Sequence, residues 1–204
     1  DGTPYEHVLD IRSPYKQYEV PFNTKYKCAR CNTKCYLAAE AMGMIDMGFG
    51  LEIWENKKEW ENWKVADWTE EEEQSMSGAT YEWIHMDADF EWIATIGFEQ
   101  PDFMWVSQLQ RDHDVVAQLE AMCALAHCPT AIVSSTLTKT VLIANYFFWI
   151  RCEAALVLVH CAIQKLEFLG LFHLFKLFLR YCYEPETQGQ DLFNHTYVPR
   201  ANNF

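Results

Sequence analysis

Positive charge is scarce in this sequence. Lys and Arg number 16 against 29 Asp and Glu, and the formal net charge is -13 over 204 residues. So acidic a chain is repelled by phosphate backbones, which leaves only local nucleic-acid contact open. The H-E-x-x-H pattern, two His one helical turn apart on zinc with Glu as base, is missing: none of the seven His is followed by Glu and no two lie four apart. G-x-S-x-G, Walker A and Rossmann glycine patterns are missing too, so this stretch supplies none of those chemistries. No long apolar run is free of charge. Val141 to Ile163 contains Arg151, Glu153 and His160, whose burial in hydrocarbon is costly, so a buried repeat helix explains it better than a membrane span. There is neither a signal-peptide h-region nor a transit segment, and the first residue is Asp1, which reads as part of a longer polypeptide.

What is present is apolar mass: half of the residues are hydrophobic and 15% are aromatic, enough for a sizeable core and too much for disorder throughout. The length suits one large or two small domains. Eight Cys are scattered without the tight spacing of a small secreted framework, and read as reduced thiols packed as small hydrophobes. The charge is uneven. Residues 1–35 hold six Lys/Arg against four Asp/Glu, 40–114 hold four against nineteen, and 115–204 six of each, so the acidity lies in the middle.

Residues 1–27 alternate short β-prone runs with turns: Tyr5 to Ile11 and Gln17 to Val20 are predicted strands, broken at Ser13-Pro14 and Pro21 to Thr24. Two or three antiparallel strands of a small β-sandwich fit, and they need further strands to pair with. CARCNTKC follows. Cys28 and Cys31 have the spacing for two thiolates on one zinc, with Cys35 as a third, yet no second pair follows at the usual interval; these are weak metal candidates, and ordinary thiols are the simpler reading. Lys25, Lys27, Arg30 and Lys34 make the one basic patch, read as a solvated face or, more sharply, as a contact for DNA or an acidic partner. Leu51 to Trp68 places Trp54, Trp60, Trp63 and Trp68 among charges at helical separations and predicts a short amphipathic helix from about Leu51 to Val65; Thr69 can cap a further turn at Glu70 to Glu73, in what is otherwise a solvated linker.

From Tyr81 to about Phe98 aromatic and branched residues with acidic breaks suit strand or irregular packed structure, and Gln100-Pro101-Asp102 interrupts them. From Asp112 the period changes to three and four, with Asp112 or Asp114 as cap. Pro129-Thr130 starts a helix from Ala131 to about Ile143, whose Ser, Thr and Lys predict a partly exposed face; Phe147 to Ile163 and Leu166 to Tyr181 are a third and fourth. Ala117-Gln118-Leu119-Glu120-Ala121 aligns with Ile150-Arg151-Cys152-Glu153-Ala154, and Leu125 with Leu158, at an offset of 33, which predicts the stacked antiparallel helix pairs of a HEAT-like solenoid. The tail from Glu184 reads as loop. His113 between Asp112 and Asp114 suggests a relay, but a helix N-terminus collecting acids explains it; His160 and His173 read as core or groove histidines satisfied by one hydrogen bond. The acidic stripe of Glu82, Asp87, Asp89, Glu91 and Glu99 shows no spacing that demands paired-carboxylate hydrolysis.

The runs EWIHMDADFEWI and FEQPDFMWVSQLQRDHDVVAQLEA closely resemble the family of the second TBP-associated factor of general transcription factor TFIID, in a fungal-looking form. The resemblance is clear over residues 1–27 and 81–153 and poor over 28–78. It implies an α+β multidomain fragment: β-sandwich strands of an aminopeptidase-like region in 1–35, an insertion or partly helical linker in 36–80, the end of the β domain and a junction in 81–110, and HEAT-like helical repeats in 111–204. It further implies a non-catalytic nuclear scaffold supporting core-promoter recognition and pre-initiation complex assembly, with TBP and other TBP-associated factors as partners, DNA reached through the whole complex, and neither a cofactor, a small-molecule substrate nor a membrane. Trp83, Trp92, Phe98, Phe103 and Trp105 would pack the junction. Two other readings stand beside it: a fragment of an active zinc aminopeptidase, and a HEAT-type adaptor unrelated to transcription.

Overall fold

The computed structural model describes residues 10, 12–15, 17, 53–54, 57–72, 83–87 and 91–182. The strands expected in residues 1–27 lie almost wholly outside the described residues, as do CARCNTKC and the tail. Among the described residues there are helices and turns but no strand. Helix α1 is Lys57–Asn62, α2 Asp102–Arg111, α3 Val115–Leu125, α4 Ala131–Leu142, α5 Phe148–Val157 and α6 Leu169–Cys182. Two short 3-10 turns, Leu158–Cys161 and Gln164–Leu166, join α5 to α6.

Local chemistry sets most of these limits. Pro101 precedes α2 in extended conformation, and the Asp102 carboxylate accepts from the Phe103 amide at 2.8 Å beside the helix N-terminus. The repeat helices therefore begin at Asp102, one helix ahead of the expected start at Asp112. Asp114, one of the two expected caps, accepts from the Val116 amide at 2.9 Å, and Thr130 accepts from Val133 at 3.1 Å to open α4. The helix expected over 51–65 is shorter in the described stretch, ending at Asn62 because Lys64 turns left-handed with φ 51°. Thr69 and Glu72 bond reciprocally, amide to carboxylate at 2.9 Å and amide to hydroxyl at 3.3 Å, as a capping box. The run expected as one helix to Ile163 stays α-helical only to Val157. It tightens where Gly170 of α6 crosses it: a Cβ there would come within 2.5 Å of the Cys161 carbonyl carbon and 2.7 Å of the Leu158 carbonyl oxygen.

The helices stack in two layers. α2 packs on α3 and α4 on α5 as antiparallel pairs; α2, α4 and α6 lie side by side in one layer, and α3 and α5 in the other. The offset of 33 is visible in this packing: Ala117, Ala121 and Leu125 of α3 and their counterparts Ile150, Ala154 and Leu158 are all fully buried. The core joins Ala121, Leu125, Ile150, Ala154 and Leu158 to Leu109, Met122, Leu137, Val141 and Tyr146. Trp63 and Val65, from the stretch read as insertion or linker, belong to the same core.

Two expectations about exposure are corrected. The polar face of α4 is not exposed: Ser134, Ser135, Thr136, Thr138 and Thr140 are buried. Their burial is tolerable because Ser135, Thr138 and Thr140 donate to carbonyls one turn back, at 2.8, 2.8 and 3.0 Å. The run through α5 is, conversely, only half buried, with Phe147, Phe148, Trp149, Leu156 and Val159 exposed. Arg151, the charge that argued against a membrane, is buried, and its Nε donates to the Val141 carbonyl at the end of α4 at 2.9 Å. Among the described residues no helix is long and apolar enough to cross a membrane.

Candidate interaction surfaces

Of the five predicted junction aromatics, Phe103 and Trp105 belong to α2, and Trp83 and Phe98 meet α2 or the turn after it. Trp83 donates its indole N–H to the Asp112 carboxylate at 3.1 Å, and Phe98 meets the buried Trp105 edge-on with centroids 5.8 Å apart. Phe103 is half-buried and Trp92 exposed. A polar chain pins the segment: the Ile84 amide donates to Gln100 Oε1 at 3.2 Å, Gln100 Nε2 to Gln108 Oε1 at 3.0 Å, and Gln108 Nε2 to the Ala117 carbonyl at 2.9 Å. The fully buried Gln108 thus spends both ends of its amide, on Gln100 and on the Ala117 carbonyl, as burial requires. Between this segment and α3 lies an open depression of about 350 Å³ lined by Ile84, Met86, Ile96, Phe98, Trp105 and Leu119. At its rim His85 Nε2 stands 3.3 Å from Glu120. Burial raises the Glu120 carboxyl above its ordinary range and His85 opposes this, while Asp114 and Asp112 add to it.

A second junction was not anticipated. Residues 57–68 run across α4 and α6 as a strap, held by the Ala66 amide donating to Ser135 Oγ at 2.8 Å, Lys139 to Asp67 at 2.6 Å and Arg180 to Glu59 at 3.5 Å. The central tie is His173. It is fully buried, with Nε2 2.8 Å from the Trp63 carbonyl and Nδ1 2.8 Å from Ser134 Oγ. A carbonyl only accepts, so Nε2 carries the proton and Nδ1 accepts from the hydroxyl. Desolvation holds the His173 pKa below its ordinary value; the Trp63 bond opposes this and Lys64 reinforces it. Cys161 also reaches Ser134, and burial pushes its thiol up to about 11. Cys, Ser and His thus meet where no substrate reaches, and the arrangement serves as a latch. Instead of the single bond expected, His173 has two partners, whereas His160 is exposed rather than in a core or groove. Trp63 and His173 were legible only as one Trp among four and one His on an apolar helix.

His113 is exposed, and Asp112 and Asp114 are engaged with backbone amides, which leaves no relay geometry. Cys123, Cys128 and Cys152 are exposed free thiols, a correction to the expectation that most would pack as small hydrophobes; Cys161 alone of the described five is buried. Among the described residues no three His, Cys, Asp or Glu gather to hold a metal. Lys25, Lys27, Arg30, Lys34, Cys28, Cys31 and Cys35 lie outside the described residues.

Two family models adjoin along residues 1–188 of the chain: a TAF2 Ig-like domain over residues 1–101 and TAF2-like TPR repeats over 102–188. The second describes the helices more closely than the expected HEAT-like repeat, since an offset of 33 is near the roughly 34 residues of a TPR and short of the 40 or more of a HEAT unit. Transcription initiation factor TFIID subunit 2 of Schizosaccharomyces pombe is 36% identical over the whole chain, and that of Saccharomyces cerevisiae is 28% identical, also over the whole chain. The Drosophila melanogaster protein of the same name is 39% identical over 40% of the chain. The chain spans 17% and 15% of the two yeast proteins. No solved structure matches. With two family models adjoining over residues 1–188 and a fission-yeast relative 36% identical along the whole of this chain, the chain belongs to the TFIID subunit 2 family.

Proposed function

We propose that this chain is part of a non-catalytic TFIID subunit, the stretch where an aminopeptidase-like β region meets helical repeats, and that it supports core-promoter recognition and pre-initiation complex assembly in the nucleus. The observation that carries this reading is the similarity, along the whole chain, to yeast proteins named as TFIID subunit 2. The structure is in keeping with it. The described polar groups of the interior are spent on pinning elements together, by Gln108, His173 and Arg151, rather than gathered as an accessible acid, base or nucleophile. Partners would be TBP and other TBP-associated factors, held by shape and apolar burial, with Trp83, Trp92, Phe98, Phe103 and Trp105 setting the junction. Residues 1–35 would belong to the β region and 36–80 would bridge it to the junction of 81–110 and the repeats. DNA would be approached by the whole complex, with Lys25, Lys27, Arg30 and Lys34 as this stretch's contribution.

The test is affinity purification of the full-length protein from nuclear extract, with partners identified by mass spectrometry and peptidase activity assayed on the same eluate. Recovery of TBP and its associated factors without peptidase activity supports the reading. A chelator-sensitive peptidase without those partners overturns it. Replacing Lys25, Lys27, Arg30 and Lys34 by Ala should weaken promoter binding by the assembled complex and lower its salt dependence by about one unit of slope for each phosphate no longer neutralised. Unchanged binding at low salt removes the DNA role of this patch.

A further inference from the structure

The acidic middle of the sequence and the depression beside α3 coincide. Between Lys64 and Lys139 the chain has one Lys or Arg, Arg111, against fourteen Asp and Glu. Every wall of the depression comes from that interval: the segment from Ile84 to Phe98, α2 and α3. Its surface is apolar. Phe98 and Trp105 both line it, and Ile84, Ile96 and Val116 stand exposed around them beside the free, exposed thiol of Cys123. Glu120 is the charged residue among its lining, with its side chain about half exposed. Scattered exposed apolar residues are ordinary, but three gathered around one depression are not.

The walls are fixed in advance. The bond from Trp83 to Asp112 and the link from Gln100 to Gln108 hold the segment against α2 and the turn after it, so an occupant does not have to order the site. A volume of about 350 Å³ is at the small end for a ligand pocket. The depression is also open and has few polar groups converging on it, which suits a side chain of a docked protein segment better than a small molecule. Charge then selects the segment. Complementary potentials favour a basic partner, and a second copy of this acidic chain would meet the rim with like charge.

We propose that this depression docks a segment of another subunit that presents an apolar side chain flanked by Lys or Arg, which rests on the reading of the chain as part of TFIID. The apolar side chain covers Ile84, Ile96 and Val116, and the flanking cation pairs with Glu120. Burial disfavours charge on Glu120, and Asp114 and Asp112 repel it, while His85 opposes both. A cation from the partner acts in the same sense as His85, so docking relieves a carboxylate that the isolated chain leaves crowded by its own kind.

Cys123 reports on the depression. In the isolated full-length protein, native labelling with N-ethylmaleimide followed by mass spectrometry should modify Cys123 about as fast as the exposed Cys128 and Cys152. In the purified TFIID assembly the Cys123 rate should fall at least about tenfold below its rate in the isolated protein. Glu120→Lys and Val116→Asp, both at exposed positions, should each bring that ratio back to about one, with every variant compared with its own isolated form. Equal rates in the isolated protein and in an assembly recovered with TBP overturn the docking and leave the subunit reading standing. Failure to recover TBP overturns both. Protection already present in the isolated protein assigns the depression to a second copy if dilution removes it and to the same chain if it does not, and either outcome overturns the proposal. So does protection in the assembly that Glu120→Lys or Val116→Asp leaves intact.

Discussion

α4 carries Ser or Thr at five positions and buries them all, whereas α6, built mostly of Leu and Phe, leaves Leu171 and Phe175 half exposed. Side-chain polarity alone would reverse that assignment. The difference lies in place: α4 is flanked by α2, α5, α6 and the 57–68 strap, while α6 ends the described stack. Small hydroxyl side chains let neighbours approach α4 closely, and three of them return their protons to its own carbonyls, so burial leaves no orphaned donor there. In a stacked fold, burial is decided by how many neighbours a helix has.

The comparison breaks most readily at the strap. Trp63→Ala removes a buried indole at the centre of the α4 surroundings and should cost about 3–5 kcal/mol in chemical denaturation; a cost under about 1 kcal/mol would show that the strap is not part of the repeat core. Gly170→Ala should follow at about 2–3 kcal/mol, because its methyl meets backbone atoms that cannot rotate away. Within α4 the hydroxyls should separate. Ser134→Ala leaves His173 Nδ1 without its donor and should cost about 1–3 kcal/mol, whereas Thr138→Val, which removes only a bond within the helix, should cost less than Ser134→Ala.

Acid sharpens the same contrast. The His173 pKa is lower in the folded state than its ordinary 6.5, so the unfolded chain binds the proton more readily. The associated stability is complete above about pH 6.5 and is lost as the pH falls through the folded value; His173→Gln should flatten this part of the pH–stability profile, and an unchanged profile would remove His173 as its source. The smallest effect belongs to Lys139→Ala, below about 1 kcal/mol, since the Asp67 carboxylate it pairs with is 59% exposed.

Helix starts were legible because they are local: Asp114 and Thr130 each bond an amide two or three residues on, and the sequence places them ahead of the periodic runs. The internal repeat was legible for a related reason, since equivalent positions in stacked units face equivalent surroundings, and Ala121 and Ala154 are buried alike. α2 was missed because its apolar residues follow directly on an aromatic run that suits irregular packing, and only the caps around Pro101 and Asp102 separate the two. The junction aromatics were legible as a group, but Trp92, exposed at 44%, and Trp105, buried, are the same residue type in the same stretch.

By itself, then, the sequence determined the family, the order of the long helices, the caps at Asp114 and Thr130 and the period of 33, all of which depend on neighbours a few residues apart or on repetition along the chain. Tertiary structure alone decided that a Trp from residue 63 closes the repeat core, that His173 joins it to Ser134, and that hydroxyls rather than phenyl rings line the most crowded helix. Those outcomes rest on contacts between residues as far apart as 110 positions, and no local pattern encodes which distant surface a side chain will meet.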